Sequence, residues 1–179
     1  MSMKRIVVIC LFVILLISVT ACQKTPEEKY REFSEEIVNE FGKELATEQA
    51  YIGQSIDREK KVMVYENLFE LNNASLEKAG QIEVPERYAE AHEHLLSALR
   101  KMADYYAGAA FFQNQWIQIE ADLENLNNQL ESGWVDQSRV DYYNEQKVVP
   151  QEERADVLLQ LKTDAQADMN KYLEFLEKT

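Results

Sequence analysis

Cysteine is nearly absent from this chain: only Cys10 and Cys22 occur, and Cys10 lies inside an apolar stretch near the start. With that stretch removed as an export signal one thiol remains, which excludes an internal disulfide and a cysteine-based zinc site. Glycine is scarce too. The five glycines form neither a phosphate-cradling loop nor a Gly-x-Ser-x-Gly turn, so phosphate binding on a glycine loop and α/β-hydrolase chemistry find no support. Strand-like alternation of useful length is missing, as is any low-complexity tract. Positive charge is in deficit, with 19 Lys and Arg against 32 Asp and Glu. Such an excess repels phosphate, which argues against nucleic acid as a partner and against a polybasic membrane footprint.

What is present begins with a short positive start, Met1 to Arg5, followed by an uncharged apolar run of 14 residues from Ile6 to Val19. A membrane-spanning helix needs about 20 residues, so the run reads as a signal core that is cut away. The next residues, Val19-Thr20-Ala21-Cys22, resemble the lipobox of bacterial lipoproteins. That resemblance implies cleavage after Ala21 and a thioether-linked diacylglycerol, carrying palmitate-type chains, on Cys22. It also implies a location on the extracytoplasmic face of the cell membrane, held there by lipid. Each buried methylene contributes about 0.8 kcal/mol and one chain alone binds marginally, so two chains make the anchoring lasting. On this reading residues 1–21 are removed, 22–25 form a lipidated tether and 26–179 form one helical domain. The mature chain keeps 158 residues, 17 of them basic and 32 acidic, and that length buries an adequate core without metal or disulfide support. Gln23 after the cysteine leaves the envelope type open.

Pro26, Pro85 and Pro150 are the only prolines, and each heads a long stretch of helix formers, where the fixed φ of proline fits. They divide the mature chain into three arms, the first two ending near Gly80 and Gly133. In the second arm Tyr88, Ala91, Leu95, Ala98, Met102, Tyr105, Ala109, Phe112, Trp116, Ile119, Leu123, Leu126 and Leu130 follow in steps of three and four. Six heptads in register predict a coiled-coil seam without polar insertions. Beside it Ala89, Leu96, Leu99, Ala103, Tyr106, Ala110 and Ile117 form a second stripe that needs another partner.

The first arm, Pro26 to Ala79, shows Tyr30, Phe33, Ile37, Phe41, Leu45, Ile52, Ile56 and Met63, then slips to Val64, Leu68 and Leu71. At about 1.5 Å per residue it reaches roughly 80 Å, close to the second arm's roughly 70 Å. Matched arms predict an antiparallel hairpin, unless Gly53 and Ser55 break the first arm and make four helices of three. The third arm, Pro150 to Thr179, repeats the spacing at Leu158, Leu161, Ala165, Met169, Tyr172 and Leu176 and is expected on the second stripe. The fold expected is all-α: an elongated antiparallel helical bundle of three long helices, or four, with coiled-coil-like packing.

Sets of residues able to carry chemistry are few. Glu90, His92 and His94 are neighbours, but a helix turns residues two apart to different faces, so one helix does not aim both rings at one metal. The Glu-x-x-His pattern of di-iron bundles needs glutamate at 89 or 91, where alanine stands, and the His-Glu-x-x-His zinc signature fails at Leu96. No metal is expected, and the histidines are expected to be solvated or packed at the rim. Carboxylate pairs arise by chance among so many acids and carry no signal without geometry. The aromatics Phe111, Phe112, Trp116, Trp134, Tyr142 and Tyr143 are more informative, since sugars and peptides stack on such rings. Capping one end of the core is their competing role. Trp116, Trp134, Tyr142 and Tyr143 are the candidate ligand contacts.

The segment Val84-Pro85-Glu86-Arg87-Tyr88-Ala89-Glu90-Ala91-His92, followed by Leu95, Leu96, Ala98 and Leu99, is similar to a pattern in small exported helical lipoproteins of Bacillus-type bacteria. The resemblance implies a location and a helical fold, and it carries over no catalytic residue. The function expected is that of a non-enzymatic binding or structural module at the cell envelope, with an envelope protein or cell-wall component as partner. The alternative is a small-ligand or metal carrier that uses Glu90, His92, His94 or the connector aromatics.

Overall fold

The computed structural model describes residues 24–52 and 56–178. Among the described residues the regular elements are all helical, and the protein is all-α. Helix α1 spans Pro26–Ile52, α2 Arg58–Gln81, α3 Ala89–Glu131, α4 Gln137–Tyr143 and α5 Val149–Lys178. A 3-10 turn, Glu86–Tyr88, leads into α3, and a π-helical turn, Asn144–Val148, joins α4 to α5. Ala21 and Cys22 lie outside the described residues, as do Gly53 and Ser55. No helix among the described residues is long and apolar enough to cross a membrane.

Local chemistry sets the helix ends. The Thr25 hydroxyl accepts from the Glu28 N–H at 3.2 Å while the Glu28 carboxylate accepts from the Thr25 N–H at 2.8 Å. That is a capping box, with Pro26 at the first helical position where its missing N–H leaves nothing unpaired. Asp57 and Asp136 cap α2 and α4, accepting from the N–H groups of Lys60 at 2.8 Å and Arg139 at 3.3 Å. At the end of α3, Gly133 takes φ +75°. There the Trp134 N–H reaches the Gln129 carbonyl at 2.9 Å and the Gly133 N–H reaches Leu130 at 3.0 Å, the paired bonds of a left-handed glycine stop.

The first arm is two helices, since α1 stops at Ile52 and α2 restarts at Arg58. Helix α1 folds back on α2: Glu36, Glu40 and Glu44 meet Lys78, Ser75 and Asn72 in reverse order, at 2.8, 2.9 and 3.2 Å. The long hairpin of two matched arms is therefore replaced by shorter helices. Helix α1 runs in the same direction as α3, with Tyr30 beside Tyr88 and His92 and Glu48 beside Tyr105.

Helix α2 takes the second stripe of α3, where the Tyr65 and Tyr106 rings lie 6.5 Å apart and Arg58 donates to Gln113 at 3.0 Å. Helix α5 lies on the other flank. Its Leu158 sits over Gly108, its Asp168 accepts from Ser97 and Lys101, and its Gln151 donates to the Phe112 carbonyl at 3.0 Å. The expected place of the third arm on the second stripe is thus corrected. Splitting the first arm supplies an extra helix that covers the stripe, and the small residues Ser97 and Gly108 let α5 approach the opposite side.

Tyr30, Ile37, Leu95, Leu99, Met102 and Tyr172 are among the fully buried side chains of the core, each stabilising by roughly 1.5–3 kcal/mol relative to exposure. Met63 and Leu71, expected inside, are exposed. Helix α2 buries Val62, Tyr65, Leu68, Asn72, Ser75 and Ala79, and the two polar residues in that series hide it from an apolar count. Leu123, Leu126 and Leu130 are only half-buried. Helix α1, whose Glu48 is already level with Tyr105, stops too soon to cover them.

Candidate functional site

Glu44 and Glu48 stand one turn apart on α1 and face inward, 4 % and 2 % exposed. A buried carboxylate is costly unless it is paired and hydrogen-bonded. Glu48 has both kinds of partner: the Tyr105 hydroxyl donates to Oε1, and Lys162 Nζ from α5 lies 2.6 Å from Oε2. Tyr65 meets the Tyr105 ring edge-on at 6.1 Å, and the Lys162 ammonium sits 5.5 Å from the centre of the Tyr105 ring.

Glu44 is served less well. Asn72 Nδ2 donates to it at 3.2 Å, and none of the ion pairs among the described residues includes it. Burial pushes its carboxyl up to about 7, with the Asn72 amide and the Tyr106 hydroxyl opposing and the charge of Glu40 adding. Beside it, Asn72 Oδ1 and Tyr106 Oη are buried and accept from no donor. Above it α1 and α2 leave a groove of about 220 Å³ whose lining includes Glu44, Lys43, Thr47, Leu68, Leu71 and Lys78. A carboxyl group poised near neutrality beside unpaired oxygens is able to take up a proton or a cation.

The aromatic candidates are not brought into one cluster. Trp116 is half-buried, with the Arg58 guanidinium 5.1 Å from its ring and Phe112 edge-on at 6.3 Å. Tyr143 is half-buried and donates to Asp122 at 2.7 Å, beside a polar cleft of about 180 Å³ that Gln118, Gln151 and Arg154 also line. Burial and the Asp122 carboxylate push its hydroxyl up to about 12. Trp134 and Tyr142 stand in solvent, 84 % and 65 % exposed. Consecutive helical residues do not share a face, so α4 turns Tyr143 inward and leaves Tyr142 out.

His92 is buried against α1, its Nδ1 3.1 Å from the Tyr30 hydroxyl, which corrects the expectation of a solvated or rim position. Burial holds its pKa below the usual imidazole value. His94 faces α5 instead, with Nδ1 4.0 Å from Asp168 Oδ1, and Glu90 is exposed. The two rings therefore sit on opposite flanks of α3. Among the described residues no group of three or more His, Cys, Asp or Glu is placed to hold a metal ion.

Glu44 and Glu48 escape a reading of apolar periodicity because they interrupt it. The first-arm stripe jumps from Leu45 to Ile52, and the skipped turn is the one occupied by Glu48. That gap was the available signal. No family model, curated protein or solved structure matches this chain.

Proposed function

We propose that this chain is a lipid-anchored extracytoplasmic module, acylated on Cys22 after cleavage behind Ala21, that binds an envelope protein or cell-wall component without catalysing a reaction. Its packed helices form an elongated antiparallel bundle with coiled-coil-like seams. The observation that carries the reading is the run Ile6 to Val19 leading into Val19-Thr20-Ala21-Cys22. The Thr25 capping box begins α1 only a few residues later, so the lipid and the first helix are closely coupled.

Tyr30 lies beside Tyr88 and His92 at the start of α3, so the first turn of α1 and the end of α3 stand at opposite ends of that helix. Helix α3 has 43 residues, about 65 Å at the usual helical rise. The exposed Trp134 and Tyr142 sit at that far end, and large aromatic side chains left in water favour a partner contact there.

Labelling cells with an alkynyl fatty acid tests the anchor: wild type becomes labelled and stays with membranes, and Cys22→Ser does neither. A Cys22→Ser protein still labelled and membrane-bound would overturn it. Retention of membrane partners or cell-wall fragments tests the far end, where Trp134→Ala with Tyr142→Ala lowers retention and leaves the fold intact. Retention equal to wild type removes that contact. A second reading, a carrier of a small ligand, is favoured by the incompletely partnered Glu44 beneath its groove.

A further inference from the structure

We propose that Glu44, Asn72 and Tyr106 hold the primary ammonium group of a small aliphatic amine that enters through the groove between α1 and α2. The inference deepens the carrier reading and stands whether or not Cys22 is acylated. Two of these three side chains present an oxygen that accepts from no donor, and the carboxylate between them carries no counter-charge. The Glu44 carboxylate accepts from Asn72 Nδ2 at 3.2 Å, has the Tyr106 hydroxyl as its other polar neighbour, and enters none of the ion pairs among the described residues. Asn72 and Tyr106 are both 0 % exposed, and Asn72 Oδ1 and Tyr106 Oη accept from nothing. An ammonium group carries three N–H donors and one positive charge, the complement of one carboxylate and two neutral oxygens. Hard metal ions are held by about six or more oxygens, more than this set supplies.

Glu44 belongs both to this set and to the groove lining, where Leu68, Leu71 and Ala74 offer apolar wall for a short methylene chain. The rim carries charge of both signs, from Glu40, Lys43 and Lys78. Lys78 is tied to Glu36 and Glu40 at 2.8 and 3.2 Å, and Lys43 lies beside it in the lining.

Binding requires the ionised carboxylate, so amine and proton compete for Glu44. The other charged or titratable groups around it are Glu40, Lys43 and Glu48 on α1, Lys78 on α2, Tyr106 on α3 and Lys162 on α5 reaching Glu48. With the carboxyl of Glu44 at about 7, amine affinity rises about tenfold between about pH 6 and about pH 8, and a proton is released on binding.

The test is a titration of the full chain in detergent with butylamine, read by the shift in Tm and by proton release, with sodium and calcium as matched titrants. A saturable upward shift with butylamine, stronger at the higher pH, is the expected result. Glu44→Gln abolishes it, and Leu71→Gln, on the exposed wall, weakens it about tenfold without moving the ligand-free Tm. An equal response to sodium or calcium overturns the proposal. So does an undiminished shift in Glu44→Gln, or a wild type indifferent to butylamine, which would mean that water alone completes the three oxygens.

Discussion

Lys162 Nζ on α5 stands 2.6 Å from Glu48 Oε2 on α1, with the carboxylate almost wholly withdrawn from water. The last helix thereby supplies the charge that the first helix buries. Removing one member of a buried pair leaves the other uncompensated, at about 3–5 kcal/mol, whereas removing both costs much less. Lys162→Met is therefore expected to lower urea stability by about that amount, and adding Glu48→Gln restores most of the loss. A single variant that melts with wild type would show that the pair contributes nothing net.

Glu44 gives the fold a pH dependence of a definite sign. Its folded carboxyl lies at about 7, above the ordinary 4.5, so the folded state holds the proton more tightly than the unfolded state. The contribution is fully present below about 4.5 and is lost as pH rises through about 7, on the order of 3 kcal/mol over the whole span. Denaturation from about pH 5 to about pH 8 is expected to show the decline in wild type and a flatter curve in Glu44→Gln, which mimics the neutral form. Parallel curves for the two proteins would count against it.

Asp168 works in the opposite direction. Burial alone would raise its carboxyl, but Lys101 at 2.6 Å, Ser97 at 2.7 Å and Lys171 at 3.3 Å hold it down to about 2. With the ordinary value at 3.8, its stabilisation is present above that pH and is lost as pH falls toward 2, about 2 kcal/mol in all. Asp168→Asn should therefore lose stability at neutral pH and shed less of what remains in acid. Acid melting of the variant as steep as that of wild type would reassign the acid loss to other groups.

Gly133 and Gly80 form a matched pair for backbone effects, since a Cβ at either meets nothing within 4 Å. Gly133 has φ +75°, so Gly133→Ala forces a left-handed alanine at about 1–2 kcal/mol. Gly80 lies inside the last turn of α2, so Gly80→Ala gains up to about 1 kcal/mol of helix propensity. Thermal melts moving in opposite directions are the expected outcome, and equal shifts would deny the distinction.

Particular residues show where reading the sequence works. The three-and-four spacing from Tyr88 to Ile119 finds the buried face of α3, and Gly133 marks its stop, because both signals reside in adjacent residues. Met63 and Leu71 mislead, because α2 buries Asn72 and Ser75 in their place. Asn72 is held there by Glu44 and Ser75 by Glu40, so polar residues occupy core positions that hydropathy assigns to others. His92 is drawn inside in the same way, by the Tyr30 hydroxyl from another helix.

By itself the sequence determined that the chain is helical and where most helices begin and end, because periodicity, caps and glycine stops act within a turn or two. Only the tertiary structure decided which flank of α3 receives α2 and which receives α5, and that Glu44 and Glu48 are enclosed by Asn72, Tyr105, Tyr106 and Lys162. The reason is physical. A carboxylate's burial, its partners and its proton affinity are properties of the helices around it, and here those helices come from distant parts of the chain.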